Sequence, residues 1–382
     1  MITHEQWDRA WFLTVASLVV FTPLVVLRIR QSWRHRSSIP AVAAGAGATV
    51  LYVAWLTGLQ QVWQLQPAAL RGVLDVALWD VVIAACLQIF MVGAGSDIPA
   101  SRLRQRVRVL IAIAATVFGV VLALSLRAPR CVNADMYVCS SMPIPRDQVP
   151  TALIAAVYIS AVLVHCAWLG FRRANRTAAG WGMGLLACGC TAYLICVVHA
   201  GFYRTLSPGG QLESFTGSWA VEGAPASAGT AFIIAGFVYP PVAVRVHAYR
   251  CLRRLAPLWA LALSYYPTLA AASGHRVSVS ERLWEQVAHL QDALTLSAQL
   301  RRAPLHGDAP PPMLADHAGA VARWFAGDTV PHLNCRWLQA PASTTVVQWM
   351  LAVADSYDTH RAREQTYAEV SSASGMPSTL RR

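Results

Sequence analysis

Runs of about twenty apolar residues recur along this chain, and they constrain its fold more than any other feature. A helix of that length spans the roughly 30 Å hydrocarbon core of a bilayer, because each residue rises ~1.5 Å. The candidate spans cover residues 11–27, 39–59, 73–93, 109–126, 151–171, 180–202 and 228–246. Only 13% of the residues are charged, whereas a soluble domain carries about 25%. The sequence predicts an all-α polytopic bundle of about seven transmembrane helices, with the lipid bilayer as its main partner.

The arginines predict the orientation of this bundle. They cluster after the first, third, fifth and seventh spans, at Arg28, Arg30, Arg34, Arg36, Arg102, Arg104, Arg106, Arg108, Arg172, Arg173, Arg176, Arg245, Arg250, Arg253 and Arg254. The alternate connections hold scattered arginines, mostly offset by acidic residues. Because Arg-rich connections stay in the cytoplasm, we expect the N-terminus outside and the C-terminus inside a bacterial plasma membrane. We therefore interpret the net charge of +12 as an orientation signal, and we predict no nucleic-acid partner.

The composition changes near Arg250, where the apolar runs become too short to span and charge rises. We predict three regions: a transmembrane domain at 1–249, a cytoplasmic helical domain at 250–370, and a disordered tail at 371–382. Residues 252–269 combine arginines with Trp and Tyr, which favours a helix lying on the inner leaflet.

Three amphipathic helices are predicted in the cytoplasmic region. Ser278-x-x-Glu281 is a capping-box pattern, and apolar residues follow it at helical spacing as far as Arg301. A second helix follows Pro310-Pro311-Pro312 and ends near Gly327, and a third begins near Ser343. We expect these C-terminal helices to contact a cytoplasmic protein partner.

Ionisable groups at membrane depth are costly, so each is a candidate functional residue. Asp80 lies about 10 Å below the outer surface if the third span runs inward, and His199 in the sixth span lies at a comparable level. The two residues either form a pair suited to a proton relay or ligand anchor, or are satisfied separately by water or backbone. Tyr239, followed by Pro240 and Pro241 in the seventh span, completes the candidate ligand or proton site, because prolines permit a kink.

Two cysteines, Cys131 and Cys139, flank a short polar stretch in the predicted outer connection between the fourth and fifth spans. Thiols this close outside the membrane either oxidise to a disulfide or remain unpaired. The sequence leaves both alternatives open.

Several function classes lack their sequence signatures. The scattered His, Asp and Cys residues of the C-terminal region match no metal-binding spacing, so no metal site is predicted. No Walker sequence, G-x-S-x-G elbow or dinucleotide fingerprint occurs. No lysine occurs either, which excludes a retinal Schiff base. We therefore expect no enzymatic activity and no cofactor.

One stretch of the C-terminal region resembles a known family. Residues 253–259 read Arg-Arg-Leu-Ala-Pro-Leu-Trp, and residues 281–292 read Glu-Arg-Leu-Trp-Glu-Gln-Val-Ala-His-Leu-Gln-Asp. This pattern resembles an actinobacterial family of seven-span membrane proteins with a C-terminal cytoplasmic domain of unknown function, commonly labelled transporters. Trp284, Glu285 and His289 depart from that family's usual helix. The resemblance covers roughly residues 252–302 and implies the same seven-span topology.

Two functional hypotheses follow. The first is a membrane-anchored sensory or regulatory protein, in which the bundle signals to a partner through the cytoplasmic helices. The second is a secondary transporter of a small solute, for which repeated halves and a polar midplane site are expected but not visible in the sequence. A structural or assembly role is the third alternative.

Overall fold

A computed structural model describes most of the chain. It covers residues 22–23, 26, 29–30, 38–57, 60–68, 70–71, 78–94, 98–128, 133, 144–206, 224–272 and 278–373. All regular structure within these ranges is helical. The candidate disulfide residues Cys131 and Cys139, most of the first span and residues 374–382 of the tail lie outside them.

Ten α-helices of six residues or more are described, and we number them in chain order. They are α1 (Ile39–Thr57), α2 (Gln60–Leu65), α3 (Leu78–Gly93), α4 (Ala100–Arg127), α5 (Val149–Arg173), α6 (Ala178–Val198), α7 (Ala224–Tyr265), α8 (Val279–Leu300), α9 (Leu314–Ala326) and α10 (Val346–Ala373). The chain forms two compact units, Met1–Pro241 and Val242–Arg382. The change from one unit to the other falls within α7.

Four of the described helices are long and apolar enough to cross a membrane. These segments are Ala100–Arg127, Arg146–Arg173, Ala178–Leu206 and Ala224–Tyr265. They coincide with the fourth to seventh predicted spans, which are therefore confirmed as long apolar helices. Ile39–Ala54 and Leu78–Gly93 are shorter apolar helices, and they overlap the second and third predicted spans.

The arginine-rich segment before the fourth span is helical rather than a loop. The sequence placed a span at 109–126, but α4 begins nine residues earlier, at Ala100, after Pro99. Arginine is a good helix former, so the charged segment continues the helix toward its N-terminus. At 28 residues the helix is about 42 Å long, which exceeds the hydrocarbon thickness.

The prediction of a separate helix at 252–269 is wrong. Instead, α7 continues for 42 residues through this segment to Tyr265, and a 3₁₀ segment, Pro267–Ala272, follows. Leu255, Leu258 and Ala262 are almost completely buried in the second unit. The segment that the sequence assigned to the membrane surface therefore contributes apolar side chains to a protein core, because other helices of the same unit cover them.

In the first unit the core lies between α3, α5 and α6. Val81, Met91, Cys166 and Leu186 are fully or almost fully buried there. Helix α3 contacts α1, α4 and α5, while α5 and α6 pack along each other. This packing places α3 in contact with three other helices of the bundle.

Glycines bring α6 and α7 together. A Cβ atom built on Gly189 would lie 2.8 Å from the Gly229 carbonyl oxygen, and one built on Gly236 would lie 2.8 Å from that of Gly182. Real Cβ atoms do not approach backbone atoms this closely, so the backbones touch where side chains would otherwise separate them. These glycines therefore set the close approach of α6 and α7.

The second unit has its own apolar core. It joins buried residues of α7 to Leu290 of α8, Phe325 of α9 and Trp349 of α10. The Ser278 and Glu281 capping box is confirmed, with both reciprocal hydrogen bonds present.

The other two predicted C-terminal helices are also present. Helix α9 ends at Gly327, whose φ of +123° is one that glycine adopts without steric cost. Helix α10 begins a few residues after Ser343, where Thr345 and Gln348 form a reciprocal cap.

Candidate functional site

Asp80 lies in the first turn of α3, and its side chain is exposed on the surface of the described residues. Across the bundle it lies close enough to Tyr193 of α6 to act on the tyrosine hydroxyl electrostatically. Sequence analysis selected Asp80 but did not select Tyr193, because a tyrosine inside an apolar run is usually a packing residue.

Tyr193 connects this aspartate region to α7. Its side chain lies near that of Thr230 on α7, and the Thr230 hydroxyl donates to the Ala226 carbonyl at 2.8 Å. Gly229 makes the approach possible, since a Cβ there would lie 2.9 Å from the Tyr193 ring.

His199 lies six residues beyond Tyr193, about 9 Å along the helix axis. It opens a π-helical turn, His199–Tyr203, and its ring stacks on Tyr203 with centroids 5.1 Å apart. Such wide turns are frequent at functional sites. The predicted pairing of Asp80 with His199 stays a prediction.

Tyr239 occupies a different level of α7. It lies nine residues beyond Thr230, about 14 Å along the helix, and its side chain is exposed. The prolines that follow it do not end the helix. The Pro240 ring is the group that a Cβ on Gly182 would meet first. This proline therefore packs against Gly182 where α6 and α7 approach each other.

Comparison with protein-family models, curated proteins and solved structures gives no match for this chain. The resemblance to the actinobacterial seven-span family is therefore still a sequence-based expectation.

A second polar group lies inside the bundle between α3 and α5. The Gln88 side-chain amide is 3.0 Å from Nδ1 of His165, and Gln88 is almost fully buried. A buried amide needs a partner, because leaving it unpaired costs about 1–3 kcal/mol. The contact thus fixes the position of the His165 ring.

Arg173 caps the end of α3 from α5. Its Nη1 donates to the carbonyl oxygens of Met91 at 2.5 Å and Ala94 at 2.7 Å. The last carbonyls of a helix lack intrahelical donors, and a cation there also interacts favourably with the helix dipole. These contacts hold the Arg173 guanidinium at one position between the two helices.

A cavity of about 520 Å³ opens beside Arg173 and His165. Helix α4 contributes Arg102, Gln105 and Arg106 to its lining. Its apolar lining residues are Val92, Ile98, Val109, Leu110 and Leu169. The cavity combines three guanidinium groups, two further polar side chains and an apolar wall.

Sequence analysis missed this cavity. It interpreted Arg102, Arg106 and Arg173 as orientation signals only, and it did not select Gln88. The available signal was the i, i+4 spacing of Arg102 and Arg106, which puts both side chains on one face if the segment is helical. That signal was overlooked because the segment was predicted as a loop.

The second unit contains separate polar contacts. His317 is 2% exposed, its Nε2 lies 2.7 Å from the Trp337 carbonyl oxygen, and its ring centroid is 4.4 Å from that of Trp349. Burial lowers the pKa of His317, while the hydrogen bond to Trp337 opposes that shift. Asp308 and His332 form an exposed pair at 3.2 Å.

The described residues bring no three His, Cys, Asp or Glu side chains together in a group that could hold a metal ion. Within the bundle, the chemistry available is therefore of two kinds. The region of Asp80 presents a carboxylate near hydroxyl groups, which suits a proton or a cation. The cavity beside Arg173 presents guanidinium groups, which suit an oxyanion.

Proposed function

We propose that this chain is a multi-pass membrane protein in which a helical bundle regulates a C-terminal helical unit. Four long apolar helices support membrane insertion, and the alternation of arginine-rich connections supports an outside N-terminus and a cytoplasmic C-terminus. In this proposal the bundle responds to a proton, a cation or a basic ligand, and the C-terminal unit passes the response to a cytoplasmic protein.

The observation that carries this proposal is the continuity of α7. The helix runs from Ala224 to Tyr265 without interruption. Its early part contacts Tyr193 through Gly229 and Thr230, and its late part supplies Leu255 and Leu258 to the core of the second unit. One secondary-structure element is therefore shared between a polar group in the bundle and the C-terminal core.

The proposed input is Asp80. A change in the charge of this carboxylate alters its interaction with Tyr193, whose side chain lies near Thr230 on α7. A shift of α7 then changes the packing of Leu255 and Leu258. Coupling through a shared element requires that it have two arrangements, and this requirement is what the experiment below tests.

The proposed output surface lies on α8. Trp284, Leu296 and Leu300 are exposed on this helix, with 60% of the Trp284 surface accessible. Leu296 and Leu300 lie on one face, because residues four apart on a helix are neighbours, whereas Trp284 is turned about 120° from Leu296. An exposed pair of leucines on one helical face suits a protein partner.

We expect Asp80→Asn to alter the second unit while leaving insertion and accumulation unchanged. Asparagine keeps the shape and most hydrogen bonds of aspartate but cannot carry its charge. The measurement is amide hydrogen exchange of α8, α9 and α10, in the full chain reconstituted in lipid nanodiscs at one fixed pH. The proposal expects changed exchange rates in the second unit.

Thr116→Val is the matched control, because the Thr116 hydroxyl is exposed and bonds the Ala112 carbonyl of its own helix, α4. It removes a polar group from an apolar helix without touching the Asp80 region. Unchanged exchange in the control and changed exchange in Asp80→Asn support regulation. Identical exchange in wild type and Asp80→Asn would refute the proposed coupling.

The alternative proposal is a secondary transporter of a small solute, and the cavity beside Arg173 favours it. A volume of about 520 Å³ is the size of a small-molecule site. The test uses sealed vesicles containing the purified chain, an internal pH-sensitive dye, and external radiolabelled inorganic phosphate. Protein-dependent movement of protons or phosphate would favour transport, and its absence for both probes would favour regulation.

A further inference from the structure

Arginines supply the charged groups among the described lining residues of the cavity beside Arg173. These residues include Arg102, Arg106 and Arg173, and no aspartate or glutamate is among the described ones. Within the part of the chain that the structure describes, Arg102 and Arg106 have no carboxylate within ion-pair distance. Two such guanidinium groups offer hydrogen-bond donors and positive charge to an anion.

The three arginines have different roles in this site. Arg173 is held by the Met91 and Ala94 carbonyl oxygens, so its position is set before any ligand binds. Arg102 and Arg106 lie one helical turn apart on α4, and both are exposed. Their long side chains are therefore able to close on an oxyanion from one side, opposite the fixed guanidinium.

The rest of the lining divides by polarity along α4. Arg102, Gln105 and Arg106 come first, and Val109 and Leu110 follow one turn later. The apolar stretch of α4 begins at the same point, and it continues for about 28 Å to the end of the helix. The cavity thus changes from cationic to apolar at the level where a headgroup region would meet hydrocarbon.

We propose that this cavity binds the phosphate group of a phospholipid with net negative charge. The phosphate oxygens accept hydrogen bonds from the guanidinium groups. The part of the acyl chain nearest the headgroup contacts Val109, Leu110 and Leu169. Basic pockets between transmembrane helices bind anionic lipid headgroups in this way. A free phosphate shares the headgroup chemistry but makes no use of the apolar wall.

The site rests on the proposed membrane insertion, so insertion is tested first. The full chain is reconstituted with phosphatidylcholine vesicles and centrifuged through a density gradient. Failure to float with the vesicles would overturn insertion and the lipid site together. Flotation followed by failure of the binding arms below would overturn the lipid site alone.

Binding is then measured on the full chain in a non-ionic detergent by native mass spectrometry and by thermal unfolding. The probes are phosphatidylglycerol, phosphatidylcholine and inorganic phosphate, each added separately. We expect phosphatidylglycerol to bind at least tenfold more tightly than phosphatidylcholine and to raise the unfolding temperature. Equal binding of the two lipids would overturn the proposal, as would a stabilisation by inorganic phosphate alone that matches phosphatidylglycerol.

The double variant Arg102→Gln with Arg106→Gln is expected to lose at least tenfold in phosphatidylglycerol affinity. The matched control is Arg104→Gln with Arg108→Gln, which removes the same charge from the same exposed stretch of α4 outside the cavity lining. We expect the control to bind like wild type. An equal loss in both variants would overturn the site, because it would indicate general attraction to a basic surface.

A third variant separates loss of the site from loss of the fold. Arg102→Lys with Arg106→Lys keeps both charges but lacks the planar donor array. We expect it to bind between wild type and the glutamine variant, with an unchanged unfolding temperature in the absence of lipid. Binding no better than the glutamine variant would overturn the charge-based assignment.

Discussion

At the scale of single residues, two of the described buried polar side chains have specific partners on other elements. Gln88 contacts His165 between α3 and α5, and His317 contacts the Trp337 carbonyl oxygen. Each contact offsets the cost of removing a polar group from water. His317 differs from Gln88 because it titrates, and its protonation would place a charge against the Trp349 ring.

We expect the stability of the second unit to fall as the pH decreases below about 6.5. Burial lowers the pKa of His317 in the folded state, so the unfolded chain takes up its proton first. Stability therefore rises with pH in that window and is lost on acidification. Hydrogen exchange of residues 314–326 in the full chain, measured between pH 5 and pH 7.5, provides the test.

His317→Gln should flatten this pH dependence, because glutamine keeps an amide donor for the Trp337 carbonyl but does not titrate. His306→Gln serves as the control, since His306 is exposed and should leave the profile unchanged. An unaltered acid response in His317→Gln would assign the effect to another group.

At the scale of helices, two kinds of signal define the elements. Local caps set the helix ends in the second unit, as Ser278 with Glu281 and Thr345 with Gln348 show. Close backbone approach sets the pairing of α6 and α7 in the first unit, where Gly189 and Gly229 meet. A capping motif can be recognised in a few consecutive residues, whereas the pairing of two helices depends on which of their faces come into contact.

Gly189→Ala should destabilise the bundle by about 1–3 kcal/mol, the usual cost of adding a methyl group to a tightly packed site. The new Cβ would lie 2.7 Å from an Ile233 side-chain carbon and 2.8 Å from the Gly229 carbonyl oxygen. Thermal unfolding of the purified protein in detergent measures the effect.

Gly184→Ala on the same helix is the control for this substitution. Its nearest neighbour is the Ala174 Cβ at 3.5 Å, an ordinary contact, and alanine favours the helix over glycine by up to about 1 kcal/mol. We expect no loss of stability there. Similar destabilisation at both positions would indicate a general sensitivity of α6 instead of a glycine contact with α7.

At the scale of the whole molecule, the described residues form two compact units, each with its own apolar core. The first contains the long apolar helices and the two polar groups near Asp80 and Arg173. The second is a helical unit with exposed apolar side chains on α8. The membrane topology determines which of these features contact lipid and which contact water on either side of the membrane.

Truncation fusions to topology reporters test that arrangement. Fusions ending after Arg36 and Arg176 should report a cytoplasmic location, and fusions ending at Asp135 and Glu213 should report an external one. The reason is the retention of arginine-rich connections inside the cell. An external signal after Arg176 would reverse the orientation and put the second unit outside.

The sequence by itself determined the helical fold class, the long apolar helices and the Ser278–Glu281 capping box, because hydropathy and capping act within one helix. The start of α4 and the length of α7 were not predicted from the sequence, since arginines suit both loops and helices and an apolar face fits either lipid or a protein core. Only the tertiary structure decided that Leu255 faces a core, that Gln88 meets His165, and that Arg173 caps α3 beside Arg102 and Arg106. Contacts between distant residues depend on the relative depth and rotation of packed helices, which no local pattern specifies.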